Sequence, residues 1–95
     1  MSRYDLSTTP PEFVSDLPRD YRGGEGEVVR EAGVIEETSE GNRYWKAFQL
    51  IETVDGDKFV RPCYYTETGG YQNKPLTLPP EVLSDLTQFA DGKIW

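Results

Sequence analysis

Histidine is absent from these 95 residues, which removes the commonest general base near neutral pH. Cys63 has no sequence neighbour that would activate a thiol, and reads as a small packed hydrophobe. Two carboxylate pairs, Glu36-Glu37 and Asp55/Asp57, have the residue types of a hydrolase or an oxygen-ligand metal site. They lack the partners and spacing either would need, and turns favour Asp in any case. The run Gly23-Gly24-Glu25-Gly26 lacks the Gly-Lys-Ser/Thr ending of a phosphate loop. No catalytic chemistry and no cofactor or metal is expected, so the chain reads as a non-enzyme.

What remains is the chemistry of rings and cations, concentrated in Arg43 to Thr66, RYWKAFQLIETVDGDKFVRPCYYT. Alternating residue types on both sides of Asp55-Gly56 predict two antiparallel strands joined by a two-residue turn. That turn would set Val54 opposite Asp57, Glu52 opposite Phe59 and Leu50 opposite Arg61. One face then gathers Tyr44, Lys46 and Phe48 with Arg61 and Tyr65, with Arg43, Lys58 and Lys74 at its rim. Rings that stack bases beside cations that hold phosphates are what single-stranded nucleic acid requires. The other face, with Trp45, Ala47, Ile51, Val60 and Pro62, is the expected seat of a helix. The same rings would equally serve as a core or as the interface of a homodimer.

The elements that must position this hairpin predict one α+β domain, a four-stranded antiparallel meander followed by a C-terminal helix. Residues 1–26 read as an N-terminal arm with a short helix, and residues 27–95 as the domain itself. In the arm, Thr9-Pro10-Pro11-Glu12 fits a capping box with Thr9 as cap and Pro10 at the first helical position. Phe13, Val14 and Leu17 give an apolar face that Pro18 ends. Glu27 to Thr38 is a strand with β-branched Val28, Val29, Val34 and Ile35, and Gly33 within it marks a bulge or a close backbone approach. After Gly69-Gly70, residues Lys74 to Leu78 form a fourth, edge strand. Pro79-Pro80-Glu81 starts a helix through Ala90 whose Val82, Leu83, Leu86 and Phe89 fall on one face. Leu83, Leu86 and Phe89 would pack it on the sheet or across a dimer. The string PPEFVSDL at Pro10 returns as PPEVLSDL at Pro79. Both read as good helix starts, not as a repeat, because a repeat fold would echo over some 20 residues or more.

Charge sets the partners. Seventeen acidic residues against 10 basic ones leave a net charge of −7, which opposes phosphate at long range. It fits ordinary solubilising charge, a host with a salty cytoplasm, or a module that docks on a basic protein surface. For the last, Glu31, Glu36, Glu37, Glu40 and Glu52 cluster around the first two strands. A lone cysteine fits a reducing compartment, and no stretch approaches the roughly 20 apolar residues of a membrane span. A cytoplasmic protein without membrane contact is expected.

Read in order, the segment KFVRPCYYTETGGYQNKPLTLPPEVLSDL is similar in layout to the single-stranded-DNA-binding domain of the transcriptional positive cofactor four family. The likeness is carried by Tyr64-Tyr65 ending a strand, a Gly-containing loop, then Lys74-Pro75-Leu76-Thr77-Leu78 leading into Glu81 of the helix. Trp45 after Arg43 also falls where prokaryotic members often place an aromatic. The resemblance spans residues 27–90 and implies a curved four-stranded sheet, one helix, pairing of two copies through their helices, and a transcription-related role in binding single strands. The family's glycine and lysine cluster before the last strand is reduced here to Lys74, and its sheet is richer in Lys and Arg.

Overall fold

The structure, a computed structural model, describes residues 3–15, 20–21, 25–72 and 76–95. In chain order the elements are β1 (Arg3–Ser7), α1 (Glu12–Ser15), β2 (Asp20–Tyr21), β3 (Gly26–Glu37), β4 (Arg43–Thr53), β5 (Lys58–Thr66), β6 (Gly70–Gln72) and α2 (Pro80–Ala90). The strands form one antiparallel sheet in the order β1-β3-β4-β5-β6, with β2 beside the start of β3. The fold is therefore α+β, an antiparallel sheet with a C-terminal helix and a short N-terminal one. Strands β3 to β6 make the expected meander. The arm is more than a helical turn, because its β1 and β2 both pair with β3.

The hairpin forms, but one residue out of the expected register. Glu52 faces Lys58, Leu50 faces Val60 and Gln49 faces Arg61. The loop holds three residues, Val54 to Gly56: Gly56 N–H donates to Thr53 O at 2.9 Å, and Thr53 N–H donates to Asp57 O at 2.8 Å. Gly56, at φ +88°, supplies the left-handed residue that closes such a loop at no steric cost. The preceding hairpin repeats the arrangement, with Gly41 N–H donating to Thr38 O and Thr38 N–H to Asn42 O, both at 2.9 Å. In each turn the threonine hydroxyl accepts the N–H four residues on, at 3.1 Å. Thr-x-x-Gly occurs a third time as Thr66-Glu67-Thr68-Gly69, where Gly69 N–H donates to Thr66 Oγ1 at 2.8 Å.

A slip of one residue exchanges the faces of one strand relative to its neighbour. On the first face, Tyr44, Lys46, Phe48 and Leu50 lie beside Thr66, Tyr64, Pro62 and Val60 of β5 and beside Glu36, Val34, Ala32 and Arg30 of β3. On the second, Trp45, Ala47, Gln49 and Ile51 lie beside Tyr65, Cys63, Arg61 and Phe59. The first face carries α2, not the second as expected: Ala32, Ala90 and Ile94 form a buried cluster there, with Phe48, Leu50 and Phe89 against it. The true register explains the exchange, since Val60 and Pro62, counted toward the helix seat, now stand beside Leu50 and Phe48. The second face is covered by α1, where Val14, Trp45, Ala47, Cys63 and Tyr65 are buried together with Phe13 and Ile35 packed on them.

Helix α2 begins at Pro80 and ends at Ala90, as the sequence predicts. Leu86 is buried against the sheet while Leu83 is exposed. Helix α1 starts at Glu12, later than expected, and Thr9 caps nothing: its N–H is taken by Ser7 Oγ at 2.9 Å. Of the expected fourth strand, Leu76 to Leu78 is unpaired and Lys74 and Pro75 lie outside the described residues; the pairing falls on Gly70–Gln72 instead. The PPE echo has no structural equivalence, because Val14 is buried while its counterpart Leu83 is not.

Candidate nucleic-acid interface

The predicted contact face is divided between the two sides of the sheet. Tyr44, Lys46 and Phe48 stand together on the α2 side, while Arg61 and Tyr65 point to the α1 side. Lys58 is exposed at the far end of β5, opposite Glu52. Arg43 opens β4 on the α1 side, and Lys74 is outside the described residues.

On the α2 side the rings and the cation are occupied. Lys46 Nζ lies 2.8 Å from Glu36 Oε1, with the two side chains only 14% and 9% exposed. It also donates to the carbonyl of Thr77 at 3.0 Å, which fastens the segment before α2 to the sheet. Drawing Lys46 toward a phosphate would strand a largely buried carboxylate, a change that is strongly destabilising. Phe48 is under Trp95, ring centroids 5.7 Å apart. Tyr44 meets Tyr64 edge-on at 6.5 Å. The slot between them, lined by Glu36, Thr38, Lys46 and Thr77, holds about 270 Å³, at the small end for any ligand site.

On the α1 side the polar atoms satisfy one another. Arg61 donates through Nη2 to Gln49 Oε1 at 2.7 Å, and Gln49 Nε2 donates to the Tyr65 hydroxyl at 3.0 Å. Gln49 and Tyr65 are both buried. Trp45 Nε1 donates to Glu31 Oε1 at 2.6 Å. Of the acidic cluster expected around the first strands, Glu31 and Glu36 are thus interior ligands of Trp45 and Lys46, and only Glu37 and Glu40 are exposed.

Arg43 works as a clip. Its Nη2 lies 2.6 Å from both Glu12 Oε1 and Glu67 Oε2, and its guanidinium sits 5.3 Å from the centre of the Phe13 ring. One side chain therefore ties α1, the start of β4 and the turn after β5. The hydrogen bond from Arg43 holds the Glu12 carboxyl below its usual range, and both glutamates raise the arginine further. A carboxyl lowered in the folded state stabilises it above the unfolded value, and that contribution is lost as pH falls through the folded value. Replacing Arg43 with alanine is expected to raise the Glu12 titration toward the ordinary carboxylate value, its own backbone N–H still holding it down in part, and to remove most of this acid-sensitive contribution, read by a carboxyl NMR titration. An unmoved Glu12 titration would show the clip to be inert in solution.

Among the described residues no group of three or more His, Cys, Asp or Glu side chains is placed to hold a metal ion. No helix among them is long and apolar enough to cross a membrane. Comparisons with family models, with curated proteins and with solved structures gave no match. Function has to be read from the surface itself.

Proposed function

We propose that this chain is a non-catalytic protein-binding module, a regulator or inhibitor that docks its acidic exterior on a basic partner surface. The observation behind this reading is how the charges are spent. Among the described residues 12 acidic side chains are exposed against three basic ones, Arg30, Lys58 and Lys93. Arg43, Lys46 and Arg61 are instead held by groups of the chain itself. The surface so left is acidic, and steers association toward a partner of the opposite sign.

Carboxylates gather at the hairpin end of the sheet. Val54 N–H donates to Glu25 O at 2.9 Å, which brings Glu25 beside the turn that holds Asp55 and Asp57. Glu27 is opposite Glu52 in the same corner. Binding of single-stranded nucleic acid, the first expectation from the ring-and-cation pattern of the sequence, would need the Lys46–Glu36 pair opened and α2 displaced from Phe48.

Fluorescence anisotropy with a labelled single-stranded oligonucleotide, at low and high salt, is expected to show no saturable binding. The protein used as bait is expected to retain a basic partner at low salt. It should lose that partner when Glu25, Glu27, Asp55 and Asp57 are changed to their amides. Single-strand binding that weakens with salt would overturn the reading in favour of the nucleic-acid alternative. Retention of the partner by the amide variant would overturn the choice of surface.

A further inference from the structure

We propose that two copies of this chain join their sheets through the free edge of β5, about a two-fold axis at Val60. This goes beyond the docking of a basic partner and does not depend on it. The phase of the backbone comes first. The Thr53–Asp57 hydrogen bond makes that pair a bonded one, and antiparallel ladders alternate. Phe59, Arg61 and Cys63 therefore turn their backbone groups toward β4, while Lys58 and Val60 turn theirs outward. Tyr64 and Thr66, further along in the outward phase, are opposite Gln72 and Gly70 of β6. Among the described residues no strand pairs with Lys58 to Pro62 on that side.

Among the described residues the outward backbone groups of Lys58 and Val60 have no strand partner, and the segment centred on Val60 is self-complementary. In an antiparallel pair centred there, each Val60 exchanges N–H and C=O bonds with its counterpart. Each Lys58 N–H meets the carbonyl of Pro62 in the other copy. Pro62 lies in the outward phase, where it has no N–H to offer, and β6 begins just beyond it. These stops confine pairing to one short ladder that closes on itself, instead of an edge open to indefinite growth.

The edge also has the composition of an interface. Phe59 and Val60 are 52% and 42% exposed, one on each face of the sheet. Val60 continues into a groove of about 640 Å³ with Leu50, Ile94 and Trp95 among its lining residues. Strand β5 contains no acidic residue in a chain of net charge −7, so the ladder itself sets no carboxylate against another, with the acidic hairpin corner at Asp57 just outside it.

Sedimentation equilibrium is expected to give a mass twice that of the 10.8 kDa chain. Val60→Lys should reduce it to that of one chain while leaving the circular dichroism unchanged. Val60→Cys tests the register, because bonded pairs have Cα atoms about 5.5 Å apart, within the range of a disulfide. Mild oxidation should cross-link Val60→Cys and not Lys58→Cys, whose copies would lie about 13 Å apart along the strands. Buried Cys63 should leave the unmodified chain uncross-linked. A single-chain mass for the unmodified protein, or equal cross-linking of the two cysteine variants, would overturn the proposal.

Discussion

Replacing Gly33 with alanine is expected to destabilise this protein more than any other single added methyl group. Gly33 sits in the middle of β3, directly opposite Ala47 of β4. A Cβ built there would lie 2.6 Å from Ala47 Cβ, 2.6 Å from Lys46 O and 2.9 Å from Ala47 Cα. Two of these atoms are backbone, so no flexible side chain can yield; the strands would have to part at the centre of the sheet. Overpacking of this kind costs about 1–3 kcal/mol, and the backbone contacts put this case at the upper end. For a domain of this size about 3 kcal/mol corresponds to a fall of about 12–24 °C in melting temperature. Gly41→Ala is the control: it meets nothing within 4 Å and is strained only by its φ of +86°, a cost of roughly 1–2 kcal/mol. Thermal melts of both variants check the ordering. A Gly33→Ala protein as stable as Gly41→Ala would mean that the two central strands are not in the contact described.

The second large effect is expected at Trp45. Its side chain is fully buried beneath α1, in one cluster with Val14, Ala47, Cys63 and Tyr65. Its indole N–H is a hydrogen-bond donor to the buried carboxylate of Glu31. Trp45→Ala combines a cavity worth about 3–5 kcal/mol with the loss of a donor to a buried charged group. Domains have only about 5–15 kcal/mol in total. Urea titration should therefore find this variant partly or wholly unfolded at room temperature. Trp45→Phe separates the contributions, since it keeps most of the volume and removes only the donor. If Trp45→Ala unfolded at the same urea concentration as the unmodified chain, α1 could not be packed on this face.

Much of the scaffold was legible because local signals agreed. Pro79-Pro80-Glu81 and Asp91-Gly92 bound α2, and alternation on either side of a glycine turn located β4 and β5. Gly33 marked a close approach of strands, though the bulge lies at Val29. The division of the candidate site turns on one feature, the length of the loop between β4 and β5. Asp-Gly is the signature of a two-residue turn, but the turn is built by Thr53 and Gly56 together and its loop holds three residues, Val54 to Gly56. The signal was present: Thr-Ser-Glu-Gly and Thr-Val-Asp-Gly share their first and last residues and the same hydrogen bonds. Pairing Lys46 with Glu36, and Arg43 with Glu12 and Glu67, was not legible at all. These partners are distant in sequence, and become neighbours only once the register of three strands is known. The helix's choice of face followed from the same register.

The two tryptophans are on opposite sides of the sheet. Trp45 is sealed under α1, and Trp95 is 48% exposed beside α2, against Phe48. The molecule thus has a separate optical reporter for each of its layers. With Trp95 replaced by phenylalanine, emission would follow the arm lifting from the sheet. With Trp45 replaced instead, it would follow the release of the carboxyl-terminal turn. Coincident transitions would mean that β4, which is the floor of both layers, passes strain from one side to the other. Separate transitions would make the arm a latch that opens while the sheet and its helix remain intact.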